Sequence, residues 1–337
     1  MKAFQLHDQA GPGSLRLVEI PQPRAGAGQV LVRVRANALN YRDLMIADGR
    51  YGKIKPPLIP LSDGAGEVAA VGEGVSRWKA GDRVAGIFFQ GWTTGAFQRE
   101  IPGTALGGAQ SGMLAEFVVL PEVGLVAIPP HLSFEEAATL PCAGVTAWHA
   151  LVAQGKVSAA DTVLLLGTGG VSLFALQIAK LHGARVIITS SSDEKLARAQ
   201  ALGADATINY RAVPDWAETV FELTQKTGVN HVVEVGGADT FAKSLRSLAP
   251  GGQVHVVGGV SGFTSDVPLR EILGKLAVVR GIFVGSRDMF EGLNRALTQA
   301  QVRPVIDRVF PFAEAAAAYH HLQSGAHFGK VVISTDK

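Results

Sequence analysis

The chain has 337 residues, 47% of them apolar and 18% charged, and 31 basic residues against 29 acidic ones leave a formal net charge of +2. That length exceeds one ordinary hydrophobic core and predicts two domains. The even charge balance excludes the basic face that nucleic acid or an anionic membrane demands. Cys142 is the only cysteine, which rules out an internal disulfide and a four-cysteine zinc lobe. The opening MKAFQLHDQAGPG lacks a hydrophobic stretch of signal-peptide length, and no apolar run approaches the roughly 20 residues of a membrane span. A reducing cytoplasm is the simplest compartment.

The first 130 or so residues read as β-rich. Val30-Leu31-Val32-Arg33-Val34 and similar short runs alternate with turn signals at Gly11-Pro12-Gly13, Pro21-Gln22-Pro23 and Gly64-Ala65-Gly66, a spacing that suits a small barrel or sandwich. The glycine-rich stretch from Gln90 to Gly112 has little periodicity and reads as a surface loop bordering a site. Phe88, Phe89, Trp92 and, later, Phe283 are lipophilic candidates to line that site or to fill ordinary core.

After Pro130 the rhythm changes. Ser133 and Glu136 form a capping-box pattern that opens a helix. Strand-like runs follow at Val163–Leu166, Arg185–Thr189, His231–Val235, Gln253–Val257 and Ala277–Val284. Helical patterns at Val171–His182, Glu194–Leu202 and Asp239–Leu248 separate them. Unalternated apolar strands divided by helices predict a doubly wound parallel sheet. Helices near Phe290–Gln301 and Ala313–Ser324 and a strand at Val331–Ser334 complete the chain.

The strand Val163–Leu166 runs into Gly167-Thr168-Gly169-Gly170-Val171-Ser172. A tight turn at Gly167, where a Cβ is expected to clash, and a bare backbone at Gly169 would bring amides to a pyrophosphate on a helix N-terminus. Ser172 stands at the third position of the usual Gly-rich fingerprint, where its hydroxyl could also meet a phosphate. About 20 residues on, where an acid ordinarily holds the ribose 2′-hydroxyl of NAD, the chain has Thr189-Ser190-Ser191-Ser192 and then Lys195. Without a carboxylate to repel it, a 2′-phosphate is accepted, and Lys195 and the hydroxyls can bind it. The reading is NADPH in preference to NADH. The alternative, Ser192 capping the next helix with Lys195 in solvent, is compatible with it.

These segments, with Asn40-Tyr41-Arg42-Asp43, Gly64-Ala65-Gly66-Glu67-Val68, Gly81-Asp82-Arg83-Val84, Ala137-Ala138-Thr139-Leu140-Pro141 and His327-Phe328-Gly329-Lys330-Val331-Val332, make the whole chain resemble the medium-chain dehydrogenase/reductase superfamily. The likeness is greatest to zinc-lacking quinone oxidoreductases and alcohol-dehydrogenase-like members. It implies an α/β protein: a Rossmann doubly wound sheet over residues 130–285, and a GroES-like β-barrel catalytic domain from residues 1–129 and 286–337. It also implies a homodimer joined along the edge strand Leu276–Val284, an edge otherwise left open.

In the zinc alcohol dehydrogenases a Cys, a His and a Glu stand where this chain has Asn40, Ser62 and Asp63, while a ligand Cys matches Cys142. Asn and Ser are poor zinc donors, so the resemblance implies no catalytic metal, with Cys142 a buried relic or a wall of the nicotinamide pocket. Tyr51 matches the proton-donor tyrosine of enoyl-thioester reductases, and an aromatic packing role is equally open to it. Asn40 and Asp43 belong to a stretch that lines the cleft, Asp43 reading chiefly as a structural cap. Thr146 matches a threonine beside the nicotinamide, and Tyr210 a residue against the 2′-phosphate. Gly236, Gly258 and Gly285 are expected at the ends of successive Rossmann strands, where ligands bind. Lys330 follows a family pattern without an assigned role.

Without zinc as Lewis acid, electron-poor acceptors are favoured. The expected activity is NADPH-dependent reduction of a small activated carbonyl, enone or quinone, with Tyr51 or a water ordered by Asn40 giving the proton. The alternatives are an alcohol dehydrogenase acting on a small alcohol or ketone, and a non-catalytic nucleotide-binding protein.

Overall fold

The computed structural model describes residues 1–335. The chain folds as two units, one made of Met1–Val145 together with the segment from Val284 onward, the other of Thr146–Phe283.

The first unit opens on an antiparallel hairpin, β1 (Lys2–Leu6) and β2 (Leu15–Glu19), turned by the Gly-Pro-Gly step. A seven-stranded sheet follows, built around β3 (Gln29–Ala38). Val30, Val32 and Val34 of β3 share one face by the two-residue period of a strand, and they close a core with Val68, Val84 and Leu120. Helix α1 (Tyr41–Ala47) follows directly. The sheet then takes β4 (Asp63–Val71), β5 (Arg83–Gly86), β6 (Phe117–Pro121) and β7 (Leu125–Ala127), with β6 pairing β3 outside the main path. Helix α2 (Phe134–Ala138) starts at the expected capping box: Ser133 accepts from the Glu136 amide at 3.2 Å and the Glu136 carboxylate accepts from the Ser133 amide at 2.8 Å. The segment Leu140–Gly144 is wound as a π-helix, α3 (Val145–Trp148) follows, and His149–Gln154 is again π-wound.

The stretch 90–112 runs largely over the surface, as expected, with residues 94–100 exposed, but it is anchored at a few points. Ala105 and Leu106 are buried, and Gly107 and Gly112 pack against the Leu61 backbone so closely that a Cβ would come within 2.5 and 2.0 Å of it. Gly107 and Gly112 are there for close approach. Phe88, Phe89 and Trp92 are core residues, whereas Phe283 is 41% exposed.

The second unit holds β8 (Thr162–Leu165), α4 (Gly170–Leu181), β9 (Arg185–Ser190), α5 (Asp193–Ala201), β10 (Ala206–Asn209), α6 (Trp216–Leu223), β11 (Val229–Glu234), α7 (Phe241–Arg246), β12 (Leu248–Val256), α8 (Leu269–Lys275) and β13 (Val278–Gly281). Its six strands are all parallel, in the order β10-β9-β8-β11-β12-β13. This is the dinucleotide-binding order, with the switch point between β8 and β11. Leu164, Ile187, Val232 and Val254 from four adjacent strands fill the core with Trp216. No helix among the described residues is long and apolar enough to cross a membrane.

The chain then returns to the first unit with α9 (Arg287–Ala300), β14 (Ile306–Pro311), α10 (Ala315–Gln323) and β15 (Lys330–Ser334). β15 pairs antiparallel with β3, Val332 opposite Ala38. β4 pairs with β3 on its other side, Asp63 opposite the same Ala38.

Within the second unit, His231 of β11 and His255 of β12 stack with their rings 5.5 Å apart, joined Nδ1 to Nε2 at 3.2 Å. Burial, then the neighbouring His231, Arg280 and His149, push His255 down to about 3. The folded chain therefore accepts this proton near pH 3, while an unfolded histidine accepts it near 6.5. Stability is complete above about pH 6.5 and falls as pH drops toward 3, by about 3 kcal/mol at pH 4 from this group. A urea midpoint measured at pH 7 and pH 4 should fall further in the wild type than in His255→Gln, and equal falls would refute this assignment.

Candidate functional site

In the second unit the chain leaves β8 through Gly167 at φ +71°, a left-handed conformation that glycine adopts without strain. A Cβ at Gly167 would meet nothing within 4 Å. The requirement there is conformational, in place of the steric clash expected from sequence. Gly169 is extended and caps α4 without any side-chain hydrogen bond. A Cβ on it would also enter open space. The amides of Gly170 and Val171 thus begin a twelve-residue helix with donors and dipole unneutralised by a side chain, an arrangement suited to a phosphate. Ser172 plays no part in that cradle: its hydroxyl is buried and donates to the Leu166 carbonyl at 2.7 Å, tying helix to strand.

The end of β9 carries hydroxyls instead of an acid. Thr189 Oγ1 accepts from the Gly167 amide at 3.2 Å. Ser190 Oγ accepts from the Ser192 amide, and Ser192 caps α5 by accepting from the Lys195 amide at 3.3 Å. The next acid along the chain, Asp193, is engaged by Asn209 Nδ2 at 2.7 Å. Ser191 and Lys195 are half-buried beside this turn, and Tyr210, 41% exposed, is hydrogen-bonded through its amide to the Ser190 carbonyl. The Ser191, Lys195 and Tyr210 group is therefore local to one corner of the sheet.

The buried Glu234 at the end of β11 was not legible as a site residue. It accepts from the amides of Gly236 and Gly237 at 2.7 and 3.0 Å, from Thr240 Oγ1 at 2.7 Å and from Ser244 Oγ at 2.5 Å. This carboxylate shapes the turn into α7; a lone acid in an apolar strand was its only signal. Gly236 and Gly258 lie just past β11 and β12, with Gly258 close to the Val235 carbonyl. Gly285 does not end a Rossmann strand. β13 stops at Gly281, and Gly285 lies in the first unit, where a Cβ would meet Val145 Cγ1 at 2.7 Å. Thr146, at the start of the second unit, is 3% exposed.

In the first unit, the pairing of β15, β3 and β4 assembles a polar cluster. Asn40 is the N-cap of α1, in a capping box with Asp43; its amide donates to Asp43 Oδ2 at 2.7 Å. Burial pushes Asp43 up to about 6 against the pull of the Arg42 guanidinium, 3.6 Å away. The expected cap role of Asp43 is thus present in the geometry. Lys330, 3% exposed, donates to the Leu39 carbonyl at 2.6 Å and to Asn40 Oδ1 at 2.5 Å. It also stands 3.9 Å from Asp63 Oδ2. Asp63 is wholly buried; it accepts from Ser62 Oγ at 2.7 Å and from the Cys142 amide at 3.2 Å. Burial raises its carboxyl above the usual range, with Lys330 the strongest opposing influence. Asn40 also holds that carboxyl down, but its Nδ2 reaches hydrogen-bond geometry with neither Asp63 nor any other acceptor among the described residues.

Tyr51 lies just beyond α1, 39% exposed. Arg42 stacks over its ring at 5.2 Å and over Phe88 at 4.6 Å. Desolvation holds the Tyr51 phenol above its ordinary range, with Arg42 opposing. The Cys142 thiol is pushed strongly upward by burial and then by Asp63.

Catalytic zinc takes three nitrogen, thiolate or carboxylate ligands around an open position, and this cluster does not fit it. The Asn40 oxygen is held by an ammonium, and both Asp63 oxygens accept protein hydrogen bonds. Among the described residues, no three His, Cys, Asp or Glu side chains gather as a metal site.

Residues 26–130 match the model of the alcohol dehydrogenase GroES-like domain, and residues 170–299 that of the zinc-binding dehydrogenase. A zinc-type alcohol dehydrogenase-like protein of Schizosaccharomyces pombe is 44% identical over 94% of each chain. The acryloyl-coenzyme A reductase of Metallosphaera sedula is 31% identical, over 94% of this chain and 95% of the reductase. The crystal structure of a putative alcohol dehydrogenase from Sinorhizobium meliloti superposes with a TM-score of 0.93 at 45% identity, covering 99% of this chain and 98% of that one.

The open space at Gly169 yields a direct test of the cradle. Gly169→Ala should leave the melting temperature within about 2 °C, since the backbone there is extended and unobstructed. It should weaken NADPH binding at least about tenfold by placing a methyl where the phosphate must approach. Unchanged affinity in a titration would remove Gly169 from the cofactor site.

Proposed function

Because this chain belongs to the medium-chain dehydrogenase/reductase superfamily and is an oxidoreductase of that kind, we propose that it uses NADPH, without catalytic zinc, to reduce a small activated carbonyl, enone or quinone. The observation that carries this reading is the filled polar cluster around Asn40 and Asp63, whose oxygens are occupied by Lys330, Ser62 and the Cys142 amide. An unactivated ketone needs a Lewis acid to take hydride readily, whereas an electron-poor acceptor needs hydrogen-bond help alone. The name of the Metallosphaera relative, an acryloyl-coenzyme A reductase, describes such an acceptor.

Bound nicotinamide supplies the hydride. The second unit holds the pyrophosphate on the amides of Gly169, Gly170 and Val171, after the turn at Gly167. Ser191, Lys195 and Tyr210 bind the 2′-phosphate; the missing acid at the end of β9 supports NADPH over NADH. Thr146, Gly236 and Gly258 back the nicotinamide end. In the first unit, Asn40 donates to the acceptor oxygen, and Tyr51, which its surroundings keep protonated through neutral pH, gives the proton. An alcohol dehydrogenase with a weakly held metal is the second reading, favoured by the name of the Schizosaccharomyces relative.

The partner in solution is a second copy of this chain. β13 is the outer strand of its sheet, and Val278 and Val279 on it are 39% and 41% exposed. Open apolar sheet edges of this kind pair with another strand.

Stopped-flow mixing of the NADPH complex with enals, quinones and simple ketones is the test. The expected result is rapid oxidation by the activated acceptors, NADPH bound at least about tenfold tighter than NADH, and no change with a chelator. Tyr51→Phe should lower kcat with enals about a hundredfold. Loss of activity on chelation would hand the case to the metal-dependent dehydrogenase. A Val279→Lys variant that stayed dimeric in sedimentation would displace β13 from the interface.

A further inference from the structure

We propose that Lys330 is a positioning residue, which turns the Asn40 amide so that it presents only N–H donors to the carbonyl oxygen of an acceptor. The identity of that acceptor rests on the reductase reading above; the positioning itself rests on geometry. Lys330 reaches Asn40 only because β15 and β3 pair antiparallel, and its ammonium is buried at 3% exposure. An ammonium has donors and no acceptor. The Asn40 atom 2.5 Å from Lys330 Nζ must therefore be the amide oxygen, which removes the usual ambiguity between the two ends of an asparagine side chain.

The second ammonium hydrogen bond, to the Leu39 carbonyl at 2.6 Å, anchors Lys330 to the residue preceding Asn40. Its third neighbour, Asp63, fixes the charge from the other side at 3.9 Å. Asn40 cannot rotate without breaking a charged hydrogen bond in a buried setting, where such bonds are strongest.

What this leaves is Nδ2, buried and without an acceptor among the described residues. Asp63 feels the Asn40 side chain and receives Ser62 Oγ and the Cys142 amide, but it stands outside hydrogen-bond geometry with Nδ2. Buried donors are nearly always satisfied in folded proteins, so an orphan held in place by a lysine asks for an acceptor from outside the chain. A substrate carbonyl oxygen provides one. Lys330 itself does not touch that oxygen. Its charge polarises the amide through Oδ1, which makes the opposite N–H end a stronger donor.

The test uses the full chain as wild type, Lys330→Met, Asn40→Ala and the double variant. The probe is propanamide, whose carbonyl does not accept hydride, titrated against the nicotinamide-bound protein. Propanamide should bind about tenfold more weakly to each single variant. The double variant should be no weaker than Asn40→Ala, since Lys330 acts through Asn40. Nucleotide affinity, read separately, should stay within about twofold in every variant. Additive losses in the double variant, an unaffected Lys330→Met, or a wild type that does not bind propanamide would each overturn the proposal. A wild type that binds propanamide with this coupling yet oxidises NADPH with no acceptor would refute the reductase reading and leave the positioning role standing.

Discussion

The functional half of the first unit depends on the double pairing of β3, which takes β15 on one side and β4 on the other, both in register at Ala38. That single strand end brings together Lys330, Asn40 and Asp63, residues that sequence separates by as much as 290 positions. A one-residue slip in either ladder would reverse every side chain of the moving strand. It would turn Lys330 or Asp63 out of the cluster and break the valine core beneath. Packing and polar placement therefore enforce one another, and the register is specified twice.

The two units handle polar atoms in opposite ways. In the first, charged groups are buried and consume one another: Asp63 has Ser62, Cys142 and Lys330 around it, and Asp43 has Asn40 and Arg42. Buried charge of this kind is tolerated because each member is paired. In the second, the backbone around Gly167 and Gly169 is kept bare, and the buried carboxylate Glu234 spends itself on local amides and hydroxyls. Apart from the buried His231–His255 pair, the sheet interior is apolar. One unit is thus built to hold side chains rigidly, the other to leave room for a ligand's charge.

Much of this architecture could be read from the chain. β8, β9, β11 and β12 announce themselves as apolar runs between helical periods, and Ser133 with Glu136 forms its capping box as expected. The Gly-rich turn was identifiable because a strand precedes it and a helix follows. β10 leaves no signal in the sequence, since Ala206-Thr207-Ile208-Asn209 is too short and too polar to show a period. The surface course of 90–112 is legible, but its anchoring is not: Gly107 and Gly112, which permit close packing against Leu61, look in sequence like any loop glycine. Gly285 looks in sequence like another glycine at a strand end, but the last strand stops early, at Gly281. The roles of Lys330 and Glu234 were hidden for a deeper reason: hydrogen-bond partners far along the chain, or on backbone amides, leave no periodic trace.

The interrupted course of the first unit carries a consequence for how the chain is made. The second unit is one continuous segment, Thr146–Phe283, so it has all its strands before the first unit has β14 or β15. Domains that emerge whole during synthesis can fold as units, and here the inserted one is complete while β3 still has an unpaired edge. That edge must wait, with Asn40 unanchored and Asp63 lacking its cation, until β15 arrives. The polar cluster cannot close before β15 is made, and β15 acts as the clasp that brings Lys330 to Asn40 and Asp63.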